Sequence, residues 1–142
     1  YFYKNTGERK MDNTLTITKS MEGNTCVLHL AGRINGQSES TLMKSAQDEH
    51  NAGARYLLLD LSQVEMLTSA GLRIIHLIYK LFTPKADIEE WEKNQPGEPY
   101  KSTYYKLAGA SPEIYYILNI AGFLRNIPIY ADLQEGLRSF KS

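Results

Sequence analysis

The first regular pattern along the chain is Leu15-Thr16-Ile17-Thr18, where apolar and polar residues alternate with the two-residue period of a short edge strand. Glu22-Gly23-Asn24 carries turn residues, and Cys26 to Ala31 (CVLHLA) then runs apolar with one histidine, as a buried strand does. Gly32 to Gly36 is a loop with two glycines. Ser38 suits a helix N-cap, and the helix it opens is expected from about Ser40 to Asn51, stopping at Gly53. Leu42, Ala46 and Glu49 mark a modest stripe on that helix, which predicts a surface position. Arg55 to Asp60 (RYLLLD) is the strongest strand signal, an apolar run ending in aspartate that suits the centre of an α/β sheet.

A loop is expected after Asp60. Thr68-Ser69-Ala70-Gly71 then opens a helix through about Phe82 that is apolar round most of its circumference, and such a helix should be buried against the sheet. Thr83 to Thr103 breaks the pattern. Pro84, Pro96-Gly97 and Pro99, with several acidic residues between them, read as an exposed excursion around one short helix, Lys85 to Lys93, that contains Trp91. Tyr104 to Ala108 is another strand. Ser111-Pro112-Glu113 is a helix start, with serine at the cap and proline at the first helical position; that helix ends near Gly122. Ile127 to Tyr130 forms a short strand whose proline suits an edge or a strand start. Asp132 caps a last helix, Leu133 to Phe140. The order β-β-α-β-α-β-α-β-α predicts a single α/β domain: a mixed, mostly parallel sheet of four to five strands with about four helices.

Composition narrows the classes. A chain of 142 residues is one ordinary domain. Sixteen basic residues balance sixteen acidic ones, which argues against direct nucleic-acid binding, since such domains usually carry an excess of Lys and Arg. Cys26, the one cysteine, excludes an internal disulfide and fits a reducing, cytoplasmic setting. The longest apolar stretch, Leu72 to Phe82, is interrupted by Arg73, His76 and Lys80 and is far shorter than the roughly 20 residues of a membrane span, so no membrane association is expected of the domain. The first ten residues are polar and irregular. They read as a tail, a tag remnant or a linker before a domain spanning 11–142, with the excursion at about 83–103.

Constellations for chemistry are sparse. His29, His50 and His76 are scattered without metal-ligand spacing, and His29 and His76 read as structural. Neither a nucleophile elbow nor a phosphate-cradling glycine loop occurs. Asp60 lacks a neighbouring carboxylate and reads as an acceptor for backbone N–H groups of the following loop. These features predict a protein that binds rather than reacts, with no catalytic residues, metal or cofactor. Tyr104, Tyr105, Tyr115 and Tyr116 read as core and boundary residues.

Leu67 to Arg73 (LTSAGLR) is the most informative segment. Two hydroxyls stand at a helix start, followed by small residues. One reading is capping by Thr68 or Ser69. The other is a phosphorylation switch, because the free N–H groups and dipole of a helix N-terminus favour negative charge. Spacing alone leaves both open.

Four stretches together resemble one family. They are Val27 to Ile34 (VLHLAGRI), Leu58 to Val64 (LLDLSQV), Leu67 to Arg73 (LTSAGLR) and Lys106 to Glu113 (KLAGASPE), followed by Leu118 to Phe123, Ile129-Tyr130 and the last helix. In order and spacing the sequence resembles the STAS domain family, in particular the bacterial anti-sigma factor antagonists, over nearly everything from Met11 to Phe140. The resemblance implies partner switching. An unphosphorylated antagonist binds an anti-sigma factor that is also a serine kinase, phosphorylation of a serine at the start of the helix releases it, and a phosphatase resets it. Ser69 matches that serine. The family often has Asp before it and Ser or Thr after it; Thr68 and Ala70 stand there, which makes Thr68 a rival acceptor. The implied partner-binding face is Gly32, Arg33, Asn35, Thr68, Ser69, Gly71, Leu72 and Arg73. Alternatives are a STAS domain of a transporter or sensory scaffold, and a small-ligand or nucleotide-binding module resting on the Gly32 to Gly36 loop. An enzyme using Asp60 or Ser69 is disfavoured for want of a base.

Overall fold

A computed structural model describes residues 9–11 and 14–140. Its elements run β1 (Arg9–Met11), β2 (Leu15–Glu22), β3 (Thr25–Ile34), α1 (Glu39–Asn51), β4 (Tyr56–Leu67), α2 (Ser69–Phe82), α3 (Lys85–Asn94), β5 (Tyr105–Ala108), α4 (Pro112–Ile120), β6 (Ile129–Tyr130) and α5 (Leu133–Ser139), with a 3-10 turn at Phe123–Arg125. The six strands form one sheet in sequential order, β1-β2-β3-β4-β5-β6. The first two pairings are antiparallel and the remaining three parallel.

Sequential order has a consequence for the faces. Each parallel crossover steps one strand in the same direction, and right-handed crossovers then place every connecting helix on the same side. Accordingly Leu42 and Ala46 of α1, Ile74, Ile75 and Ile78 of α2, and Ile114 and Leu118 of α4 pack in one core with Leu28, Leu30, Leu57, Leu59 and Leu107. A smaller core on the opposite side joins Leu137 of α5 to Val27, Leu58 and Ala108. On that side α5 packs on β4, β5 and β6. The same side of β2 and β3 carries Thr16, Thr18, Ser20, His29 and Ala31, the small and polar positions that alternate with Leu15, Ile17, Leu28 and Leu30.

The single α/β domain with its mixed, mostly parallel sheet is as expected, and the differences have physical causes. The sheet has six strands rather than four to five, because Arg9–Met11 adds to β2 and removes it from the edge. The short helix expected at Lys85 to Lys93 forms, as Lys85–Asn94, and brings the α-helices among the described residues to five rather than about four. Strand β4 does not give way to a loop after Asp60 but continues to Leu67 along β3. Register irregularities between His29 and Ala31 and between Gly32 and Arg33 break the two-residue period there, so Leu61, Val64 and Leu67 are all buried at a spacing of three. Helix α1 is less superficial than its stripe implies: Leu42, Ser45 and Ala46 are buried.

Candidate functional site

The start of α2 rests on the end of β3. Thr68 is the N-cap: its Oγ1 accepts from the Gly71 N–H at 3.3 Å, and its hydroxyl faces the Ile34 carbonyl at 3.4 Å. The Thr68 amide donates to the same carbonyl at 3.1 Å. Gly71 is buried, and a Cβ built on it would come within 2.1 Å of the Ile34 oxygen. Only glycine permits that approach. The ends of β3 and β4 are thus locked to each other by backbone contact.

Ser69 follows the cap and is exposed, and its hydroxyl makes no hydrogen bond among the described residues. Capping therefore falls to Thr68 and leaves Ser69 outward. Leu72 is half-buried against the main core. Arg73 is exposed and reaches back to Glu39 at the start of α1, with Nη2 2.8 Å from Oε1 and 2.7 Å from Oε2.

The loop after β3 is shaped from within. Asn35 Oδ1 accepts from the amides of Gln37 (2.9 Å) and Ser38 (3.2 Å). Ser38 sits at the N-cap position of α1 but makes no capping bond. Its fully buried hydroxyl instead donates to the Arg33 carbonyl at 2.8 Å and accepts from the Asn35 amide at 2.9 Å. Gly32, at φ 120°, passes so close to Thr14 that a Cβ would lie 2.2 Å from its carbonyl oxygen. Arg33 projects outward beside it, next to Met66, its register partner on β4. Gly32, Arg33, Asn35, Thr68, Ser69, Gly71, Leu72 and Arg73 thus come from three neighbouring elements at one end of the sheet.

Met66 and Glu39 were not legible as members of this surface. Met66 is 46% exposed and supplies its apolar spot; Glu39 sets the direction of Arg73. A cross-strand partner for Met66 requires the continuation of β4, which the broken period conceals.

Other singled-out residues divide. Asp60 accepts from the Ser62 amide at 3.1 Å, as expected, and also from His29 Nδ1 at 2.7 Å, which spacing could not show. Burial pushes its carboxyl up, but the bonds from His29 and Ser62 outweigh this and hold it below the usual aspartate value. His76 stacks between Tyr79 and Phe123, and burial with nearby Lys80 lowers its basicity. Burial pushes the Cys26 thiol up to about 12, which makes it unreactive. Tyr105 is core, with its hydroxyl donating to the Ile75 carbonyl, whereas Tyr115 and Tyr116 are exposed on α4. Among the described residues no cluster of three or more His, Cys, Asp or Glu is placed to hold a metal ion, and no helix is long and apolar enough to cross a membrane.

The fold agrees with the outcome of comparison with known proteins. The STAS domain family matches residues 16–88, half of the chain, and the protein belongs to that family. No curated protein matches it in sequence. Among solved structures it is similar to an anti-sigma factor antagonist from Mycobacterium paratuberculosis, with a TM-score of 0.74 at 19% identity, covering 94% of this chain and 99% of that one. A putative anti-sigma factor antagonist from Thermotoga maritima gives 0.69 at 18% identity, with coverage of 87% and 93%. SpoIIAA from Bacillus, in its phosphorylated form, gives 0.56 at 11% identity, with coverage of 94% and 97%. At such identities the likeness establishes a shared fold.

Proposed function

We propose that the chain is an anti-sigma factor antagonist that acts by partner switching. In its unphosphorylated state it binds an anti-sigma factor with serine kinase activity, and phosphorylation of Ser69 releases it. A phosphatase restores the binding state. The observation that carries the choice of acceptor is the division of labour at the start of α2. The Thr68 hydroxyl is engaged with Gly71 and Ile34, while Ser69 points outward without a hydrogen-bond partner among the described residues. A kinase reaches a free hydroxyl without unwinding the helix, and the N-terminal dipole accommodates the charge that results.

The binding surface in this reading is Arg33, Asn35, Ser69, Leu72 and Arg73, with Met66 at its rim, held in place by Gly32, Thr68 and Gly71. Its middle is small, with Ser69 exposed beside the half-buried Ala70, so a partner surface can close over the hydroxyl. Burying a phosphate in that interface without a cationic group opposite costs several kcal/mol in desolvation and repulsion. Each 1.4 kcal/mol is about tenfold in affinity, so release by a factor of about a hundred or more is expected. Domains that share the fold are described as anti-sigma factor antagonists, and one of them is known in a phosphorylated form.

Phosphosite mapping tests the reading. The chain is incubated with ATP in lysate of its source cells and analysed by mass spectrometry. Phosphate at Ser69 that is lost in Ser69→Ala is the expected result. Phosphate at Thr68 keeps the switch and moves its acceptor. An unmodified chain, with kinase activity demonstrated on a control substrate, overturns the proposal in favour of a STAS domain serving a scaffold or transporter.

A further inference from the structure

Ser20, His29 and Asp60 come from three adjacent strands and form a single hydrogen-bonded row. His29 on β3 and Asp60 on β4 are direct register partners, with Nδ1 2.7 Å from Oδ2. On the opposite side of the ring, His29 Nε2 lies 2.9 Å from Ser20 Oγ. Thr18 stands opposite His29 on β2, so Ser20 is its diagonal neighbour on the same face of the pleat. Asp60 is further fixed by the Ser62 amide on Oδ1, and Gly109, at φ 79°, lies against it so closely that a Cβ would sit 3.4 Å from that oxygen.

The chemistry of the groups decides the protons. An ionised carboxylate only accepts, so the His29 Nδ1 carries the proton directed at Asp60. In the neutral form of the imidazole this leaves the lone pair at Nε2, aimed at the Ser20 hydroxyl, which donates to it in that form. Hydroxyl, base and orienting carboxylate are arranged in line at distances that general-base activation requires. The row faces away from α1, α2 and α4, and the His29 side chain keeps 32% of its surface exposed. A substrate therefore has access.

We propose that Ser20 is a nucleophile activated by His29 and Asp60, and that it accepts an acyl group from small activated carboxylic esters. As Ser20 Oγ bonds to the carbonyl carbon, its proton passes to His29 Nε2. The bond to the leaving alcohol breaks, that alcohol takes the proton, and Ser20 is left as an ester. The sheet limits the rate. The Arg33 amide bonds the Thr14 carbonyl at 2.8 Å, which fixes the alternation of the antiparallel pair and directs the Ser20 amide to Val27 on β3. That amide cannot steady an oxyanion. Losing such a donor costs about 10²–10³ in rate, so the reaction is a slow acylation that leaves Ser20 modified rather than a rapid turnover. This inference stands apart from the Ser69 switch and shares no residue with it.

The full chain is treated with p-nitrophenyl acetate, with nitrophenolate release monitored by absorbance and adducts located by peptide mass spectrometry. Acetylation is expected at Ser20, while Ser69, exposed but without a base, serves as the internal reference and stays unmodified. Ser20→Ala removes the adduct. His29→Gln slows it about a hundredfold, and Asp60→Asn slows it by a smaller factor. Wild-type chain unfolded in urea, where the row is dispersed, loses the preference for Ser20 and supplies the base-free reference should His29→Gln fail to fold. Equal labelling of Ser20 and Ser69 in the folded chain, or an unchanged rate in a folded His29→Gln variant, overturns the proposal.

Discussion

Gly71 and Ile34 approach so closely that a single added carbon on Gly71 would stand 2.1 Å from the Ile34 carbonyl oxygen. The same oxygen receives the amide of Thr68. This contact joins the first turn of α2 to the end of β3 and so makes one surface out of two strand ends. Gly71→Ala is expected to push them apart at a cost of about 2 kcal/mol, within the range for overpacking. A urea midpoint unchanged from wild type would contradict this. The Ile34 contact is backbone rather than side chain, so little relaxation is available.

Thr68 and Ser69 are adjacent hydroxyls with separable roles. Thr68→Ala removes the N-cap of α2 and is expected to cost about 1 kcal/mol, while under the proposed switch Ser69 still accepts phosphate. Ser69→Ala is expected to leave stability nearly unchanged and to abolish phosphorylation. Ser69→Asp is expected to weaken binding to the kinase. Paired chemical denaturation and phosphosite mapping separate these outcomes, and a larger loss of stability in Ser69→Ala than in Thr68→Ala would reverse the assignment.

Asp60 predicts an acid-dependent share of stability. Burial raises its carboxyl, yet the bonds from His29 and Ser62 bring it below its ordinary value in the folded chain. The unfolded chain therefore binds that proton more readily. The stabilising share is complete above the ordinary carboxylate value and is lost as pH falls through the lowered folded value. Asp60→Asn should lower the urea midpoint at neutral pH, and the gap from wild type should close in acid. A gap that stays constant down to strongly acidic pH would exclude this linkage.

Trp91 is the only tryptophan and belongs to the excursion. Its indole donates to the Glu98 carbonyl at 2.8 Å and packs edge-on to Tyr100, but α3 buries no residue fully. Segments with little buried apolar surface open before the core does. Tryptophan fluorescence is therefore expected to change at lower urea than the far-ultraviolet circular dichroism of the whole chain. Coincident transitions would show the excursion to be part of the cooperative unit, tied in through Asn126 to the Tyr100 carbonyl and Lys101 to the Leu124 carbonyl.

Much of this architecture is legible in local pattern. The apolar run at Leu57 to Leu59, the caps Ser111 and Asp132 and the apolar circumference of α2 each specify an element through its immediate neighbours, because burial periodicity and capping act over a few residues. The caps form as read, with Ser111 accepting from the Ile114 amide and Asp132 from the Glu135 amide. Ser38 shows the limit. It has the composition of a cap and the position of one, but tertiary contact with Arg33 and Asn35 takes its hydroxyl for the loop instead.

Local pattern thus determined a single α/β domain, most of its strands and helices, and a pair of hydroxyls at the head of a buried helix. Tertiary structure alone decided which of the two hydroxyls is free, because that depends on where the Ile34 carbonyl comes to lie, 34 residues earlier in the chain. It also decided the Ser20–His29–Asp60 row. Those residues are 9 and 31 positions apart and meet only through strand register. Register is a property of the assembled sheet: it is set by the apolar faces of all its strands together, and no single segment carries it.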